Sequence, residues 1–103
     1  MDTVVISGAS RTPMGGFQGE LSTLSAAELG SAAISKALEQ SGAANVEELM
    51  MGCVLPALPG QAPARQSAFL AGLPETVPAT TLNKMCGSGM KAAMIAFDQI
   101  SLG

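Results

Sequence analysis

Apolar positions along this chain come in two alternating textures, short runs with no period and longer stretches that recur every three or four residues. Thr3-Val4-Val5-Ile6-Ser7-Gly8-Ala9 is of the first kind, β-branched and closed by glycine, and predicts a buried strand near residues 3–8. A loop of turn formers, Ser10 to Gly19, follows. The second texture begins at Ser25. Ser25 and Glu28 have the S-x-x-E spacing of a capping box, and Leu24 and Leu29 suit the accompanying hydrophobic staple. Leu29, Ala33 and Ala37 then share a helix face with Ile34 and Leu38 alongside, while Lys36, Glu39 and Gln40 point elsewhere. Gly42 is the expected C-cap.

The alternation repeats. Leu49-Met50-Met51-Gly52-Cys53-Val54-Leu55 is apolar throughout, the pattern of a strand covered on both faces. Pro56 and Pro59-Gly60 break it, and Pro63 suits the first position of a helix that Gly72 and Pro74 stop. Ala79-Thr80-Thr81-Leu82-Asn83 predicts another strand, and Gly87-Ser88-Gly89 opens a last helix. Within it, Ala92-Ala93-Met94-Ile95-Ala96-Phe97 is apolar on every side, so something must cover its far side, either more chain or another subunit. The order βαβαβα predicts an α/β fold with three parallel strands near residues 3–8, 49–55 and 78–83.

Composition narrows the class. The 103 residues suit one small domain, with no linker, repeat or low-complexity segment inside it. The 48% apolar fraction rests on alanine, leucine, valine and seven methionines, with three phenylalanines and no tryptophan or tyrosine. Small side chains suit close packing of helix on sheet. A net charge of −3 with only five Lys and Arg residues argues against nucleic acid as a partner. No run reaches the roughly 18 uncharged apolar residues of a membrane span, and Met1-Asp2-Thr3-Val4 lacks the basic start of a signal peptide. Two cysteines, Cys53 and Cys86, form neither a disulfide framework nor a C-x-x-C metal site, so no metal is expected and reduced thiols in the cytoplasm are. There is no histidine.

Cys86 is the residue with chemistry to offer. It lies where a strand hands over to a helix, in Asn83-Lys84-Met85-Cys86-Gly87-Ser88-Gly89-Met90-Lys91. A thiolate is the nucleophilic form of cysteine, and the free N–H groups of a helix start favour negative charge. The glycines after it allow close approach of a substrate, much as in a nucleophile elbow. Spacing alone leaves a second reading open, an inert buried thiol. Cys53, inside an apolar strand, reads as core packing; a Cys53–Cys86 disulfide is disfavoured in the cytoplasm. Gly15-Gly16-Phe17-Gln18-Gly19 and Gly87-Ser88-Gly89-Met90-Lys91 fail both phosphate-binding glycine patterns. Arg11 and Arg65 each suit an ion pair, and the methionines read as gap-filling core.

The block Leu82-Asn83-Lys84-Met85-Cys86-Gly87-Ser88-Gly89-Met90-Lys91-Ala92 closely resembles the one around the acyl-accepting cysteine of thiolases. Val4 to Gly15 resembles their opening strand and loop, and Met51 to Ala57 and Gly60 to Gln66 resemble the next two landmarks. The likeness is collinear over essentially the whole chain. Departures are few: Ala93 stands where a larger aliphatic residue is usual, with Met94 beside it to fill the space, and Cys53 occupies a variable position. The loop Phe17-Gln18-Gly19-Glu20-Leu21 is closer to the biosynthetic acetoacetyl-CoA branch than to the long-chain degradative one.

The resemblance implies a fold and a chemistry. The chain would be an amino-terminal thiolase portion, residues 1–103, an incomplete first half of the fold with a mostly parallel sheet. Its parent would be an acetyl-CoA C-acetyltransferase that joins two acetyl-CoA into acetoacetyl-CoA, or runs the reverse thiolysis, through an acyl-cysteine on Cys86. Coenzyme A thioesters would be substrates, no cofactor would be covalently bound, and the enzyme would be a homo-oligomer. The histidines, the second catalytic cysteine and most coenzyme A contacts would lie beyond Gly103, leaving the chain inactive alone. Alternatives are a 3-ketoacyl-CoA thiolase of fatty-acid degradation, a ketoacyl synthase, which surrounds its cysteine with a different motif and lacks Arg11-Thr12-Pro13, and a non-catalytic truncated assembly module.

Overall fold

The computed structural model describes residues 3–103. Its first regular element is α1, Ala26–Ser41. The predicted box closes it: the Glu28 N–H donates to Ser25 Oγ at 3.1 Å, and the Ser25 N–H donates to Glu28 Oε2 at 2.6 Å. Two orphan donors are thereby satisfied, a contribution of about 1 kcal/mol. At the other end Gly42 turns left-handed at φ 67°, and its N–H donates to the Leu38 carbonyl at 3.0 Å.

Two strands follow, β1 at Leu49–Gly52 and β2 at Ala79–Leu82, with helix α2, Pro63–Leu70, between them and α3, Ser88–Leu102, after them. The strands are parallel, in a register that pairs Leu49 with Ala79 and Gly52 with Leu82. Bonds from the Leu49 N–H to Pro78 O and from the Cys53 N–H to Leu82 O, both at 2.9 Å, extend the ladder by one rung at each end. A strand residue caps α2, whose own preceding residue, Ala62, has no side chain to do so: Thr81 Oγ1 accepts from the Ala64 N–H at 3.0 Å.

Successive strand residues face opposite ways. Met51 and Thr81 face α1 and α2, whereas a side chain at Gly52 would run into Ser88 of α3. The helices therefore flank the sheet from both faces, α1 stacked on α2 and α3 set against β1. The buried core is built from small groups, Ala27, Ala64, Ala68, Val77 and Ala92, with the hydroxyls of Ser67 and Ser88. Ser67 Oγ donates to the Ala27 carbonyl at 3.0 Å and so joins α2 to α1.

The strand predicted near residues 3–8 does not form. Its residues belong to neither strand, and Val5 and Ile6 are 72% and 85% exposed. The segment is held by α1 instead, with Gly8 against the Ala37 carbonyl and the Ala9 N–H donating to Gln40 Oε1 at 2.9 Å. Between it, β1 and α3 lies an open groove of about 1570 Å³. A run of Val and Ile encodes strand preference, yet a strand exists only where its N–H and C=O groups meet a partner edge. The strand predicted over 49–55 also stops early, at Gly52, because β2 departs at Asn83, whose side-chain amide donates to Val54 O at 3.1 Å.

The last helix is not enclosed among the described residues. It buries Ser88 and Ala92 but exposes a stripe of Met90, Met94, Phe97 and Ile100, with Met90 at 74%. No helix among the described residues is long and apolar enough to cross a membrane, and no cluster of metal-ligating side chains occurs among them.

Candidate active site

Cys86 lies in the turn from β2 into α3, one residue before the cap Gly87 and two before the first helical residue. The thiol is exposed and free. Its flanks are fixed by a dense set of bonds. The Met85 N–H donates to Asn83 Oδ1 at 2.9 Å, an Asx turn, and the Gly87 N–H donates to Lys84 O at 3.0 Å. Ser88 Oγ accepts from the Lys84 N–H at 2.9 Å and donates to Met85 O at 2.6 Å, while the Ser88 N–H donates to the same carbonyl at 3.2 Å. Met85 is left-handed at φ 49°, which few non-glycine residues adopt.

Cys86 itself adds to this network an isolated bridge with Lys84. Its N–H donates to no acceptor among the described residues, and neither do those of Gly89 and Met90, since the first helical bond runs from the Lys91 N–H to Gly87 O at 2.9 Å. Three unpaired N–H groups therefore cluster at the end of a 15-residue helix beside an exposed thiol. α3 can start this close to the sheet because position 52 is glycine: a Cβ there would lie 2.5 Å from Ser88 Cβ and 2.7 Å from the Ser88 carbonyl carbon.

Cys53 is placed differently. It is half-buried at the end of the ladder and lines a cavity of about 40 Å³ with Met51, Thr81, Ser67 and the first residues of α1 and α2. No disulfide joins the two cysteines. Arg65 does not form the ion pair expected of it; its guanidinium lies 5.4 Å from the Phe69 ring and its buried Nη1 has no partner among the described residues. Arg11 remains exposed, and the ion pair the described residues contain is Lys36–Glu39. Asn83 and Ser88 support the turn, a role that the motif around Cys86 does not single out. The signals were present, an Asx-turn former two residues before Met85 and a serine two residues after Cys86.

The family model described as "Thiolase, N-terminal domain" matches residues 4–103. The chain belongs to the thiolase family. It is 56% identical over 102 residues to acetyl-CoA acetyltransferase 2 of Arabidopsis thaliana, covering 97% of this chain and 25% of that protein. It is 52% identical over 105 residues to the acetyl-CoA acetyltransferase of Pseudomonas aeruginosa, covering 100% of this chain and 27% of that one. With the mitochondrial acetyl-CoA acetyltransferase B of Xenopus laevis the identity is 50%, over 100% of this chain and 25% of the relative. The chain thus spans about a quarter of the length of these curated relatives. Helices on both faces of a small parallel sheet are a thiolase-like α/β arrangement.

Proposed function

We propose that these residues form the amino-terminal part of an acetyl-CoA C-acetyltransferase in which Cys86 carries the acyl group. The observation that supports this most directly is the exposed Cys86 thiol beside the unpaired N–H groups at the start of α3. Cys86 Sγ, as a thiolate, adds to the thioester carbonyl carbon of acetyl-CoA, and the displaced electron pair moves onto the oxygen. Backbone N–H groups, that of Cys86 among them, stabilise this oxyanion. Collapse breaks the bond from carbon to the coenzyme A sulfur, leaving acetyl-cysteine and a coenzyme A thiolate that takes up a proton. A second acetyl-CoA, deprotonated at its α-carbon, attacks the acetyl carbonyl, and acetoacetyl-CoA leaves as the Cys86 thiolate is restored. Thiolysis is the reverse.

The 103 residues contain no histidine, and their other thiol, Cys53, is set into the cavity at the end of the ladder. By the family resemblance we assign the base that activates Cys86, and the one that takes the α-proton, to the rest of the complete enzyme. Peptide mapping after mixing the complete enzyme with acetyl-CoA tests the reading. An acetyl group on the Cys86 peptide is the expected result; acetylation elsewhere, or none, would remove Cys86 from the mechanism. Turnover of long-chain 3-ketoacyl-CoA in preference to acetoacetyl-CoA would assign the degradative activity instead.

The free thiols favour a cytoplasmic setting, and the stripe on α3 favours a homo-oligomer. Expressed alone, these residues are expected to show no thiolysis of acetoacetyl-CoA and to self-associate. Met90, Met94, Phe97 and Ile100 form an apolar band that water does not tolerate as a large contiguous patch, and the strand edges add a second route. Light scattering and a thiolysis assay on the purified chain check both halves; a stable monomer, or turnover, contradicts the respective half.

A further inference from the structure

We infer that Ser88 and Asn83 are positioning residues for Cys86, locking the Lys84–Gly87 turn in the conformation that presents the thiol at the start of α3. The inference rests on the reading of Cys86 as nucleophile and goes beyond it, to the groups that aim it. Ser88 is 4% exposed, and a buried hydroxyl has a reason to be there. Helix capping is not that reason. A capping serine sits at the cap and accepts from N–H groups downstream, whereas Ser88 is one residue inside the helix and turns back. Its Oγ accepts from the Lys84 N–H at 2.9 Å and donates to Met85 O at 2.6 Å. Asn83 holds the peptide between those two, accepting from the Met85 N–H at 2.9 Å while its amide donates to Val54 O at 3.1 Å.

The bonds converge on the one residue of the turn that needs them. Met85 at φ 49° is in the left-handed region, where a side chain crowds the backbone and a non-glycine residue persists only if its surroundings hold it. Both peptide groups of Met85 are held: its N–H by Asn83, its carbonyl twice by Ser88. Cys86, next in the chain, is tied to this turn by an isolated bridge with Lys84, so its direction follows that of Met85 between them. Freed from the brace, Met85 relaxes toward negative φ, and the thiol swings away from the unpaired N–H groups of α3.

The complete enzyme is mixed rapidly with acetyl-CoA, and the rate of acetyl-Cys86 formation is followed with kcat and KM. Alkylation of Cys86 by iodoacetamide serves as a measure independent of substrate. Ser88→Ala is expected to slow acetylation roughly tenfold or more, the worth of two part-buried hydrogen bonds, and Asn83→Ala roughly three- to tenfold, the worth of its exposed ones, with KM within about twofold. Alkylation slows in the same order. Met85→Gly, which adopts positive φ without crowding, recovers at least about a fifth of the lost rate in the Ser88→Ala background, a rescue that a general packing role would not give. Folded Ser88→Ala and Asn83→Ala variants acetylated within twofold of wild type would overturn the inference, as would a loss that Met85→Gly leaves untouched. Asn83 is exposed, so Asn83→Ala decides the matter if Ser88→Ala fails to fold. If wild-type Cys86 is not acetylated at all, the proposed function falls, and the alkylation rates still judge the brace.

Discussion

Cys86→Ser in the complete enzyme is expected to lower acetyl-enzyme formation by roughly a thousandfold or more, while Cys53→Ser stays within about threefold of wild type. A hydroxyl replaces the thiol at nearly the same size, so the loss at Cys86 reads nucleophilicity rather than packing. The two cysteines differ in every respect that bears on this. Cys86 is exposed, in a braced turn, beside N–H groups with no partner. Cys53 is half-buried, its N–H committed to Leu82 O at 2.9 Å and its side chain set into a cavity of about 40 Å³. A serine there costs about 1 kcal/mol of stability, which a thermal melt reads, and leaves the turn unaltered. Acetyl transfer followed by mass spectrometry measures both variants. Equal losses would erase the distinction between nucleophile and packing thiol.

What the sequence made legible follows the range of the interactions concerned. The capping box of α1 involves Ser25 and Glu28, three residues apart, and the helix opens where their spacing requires. Pro63 and Gly42 mark their helix ends through their own backbone restrictions, again locally. The turn carrying Cys86 lay within one short block. What the sequence does not carry depends on surroundings that spacing alone leaves open. Residues 3–8 have strand composition but no partner edge, and composition cannot report whether an edge is there. Arg65 was expected to find a carboxylate; it lies over Phe69, four residues on along the same helix, where a guanidinium packs well on a ring. Ser88 could be read as a helix opener, because its bonds to Lys84 and Met85 depend on a turn whose left-handed residue no local rule assigns to methionine.

Gly52 lies within a strand and Gly89 at a helix start, and the structure gives them different tolerance for a side chain. Gly52→Ala is expected to destabilise the complete enzyme by about 2 kcal/mol and to slow acetylation of Cys86 with it. Two effects of the new methyl oppose each other. Removing glycine from a strand gains about 0.5–1 kcal/mol of backbone entropy. Against that, the added carbon would lie 2.5 Å from Ser88 Cβ, 2.7 Å from the Ser88 carbonyl carbon and 2.9 Å from the Gly89 nitrogen. Two of those three atoms are backbone of the first turn of α3 and cannot rotate aside, so the helix start must lift from the sheet. Overpacking of this kind costs about 1–3 kcal/mol, occasionally more, and it outweighs the entropy gain. The displaced residue is Ser88, which ties Lys84 to Met85, so the strain passes directly into the turn that holds Cys86. At Gly89 a Cβ meets nothing within 4 Å, and alanine is the better helix former. Gly89→Ala therefore leaves the melting midpoint unchanged or raises it. Thermal melts of both variants, with acetylation rates for Gly52→Ala, carry the comparison. A Gly52→Ala enzyme as stable as wild type would mean that α3 can stand off from β1 without cost, contrary to the contact that seats it.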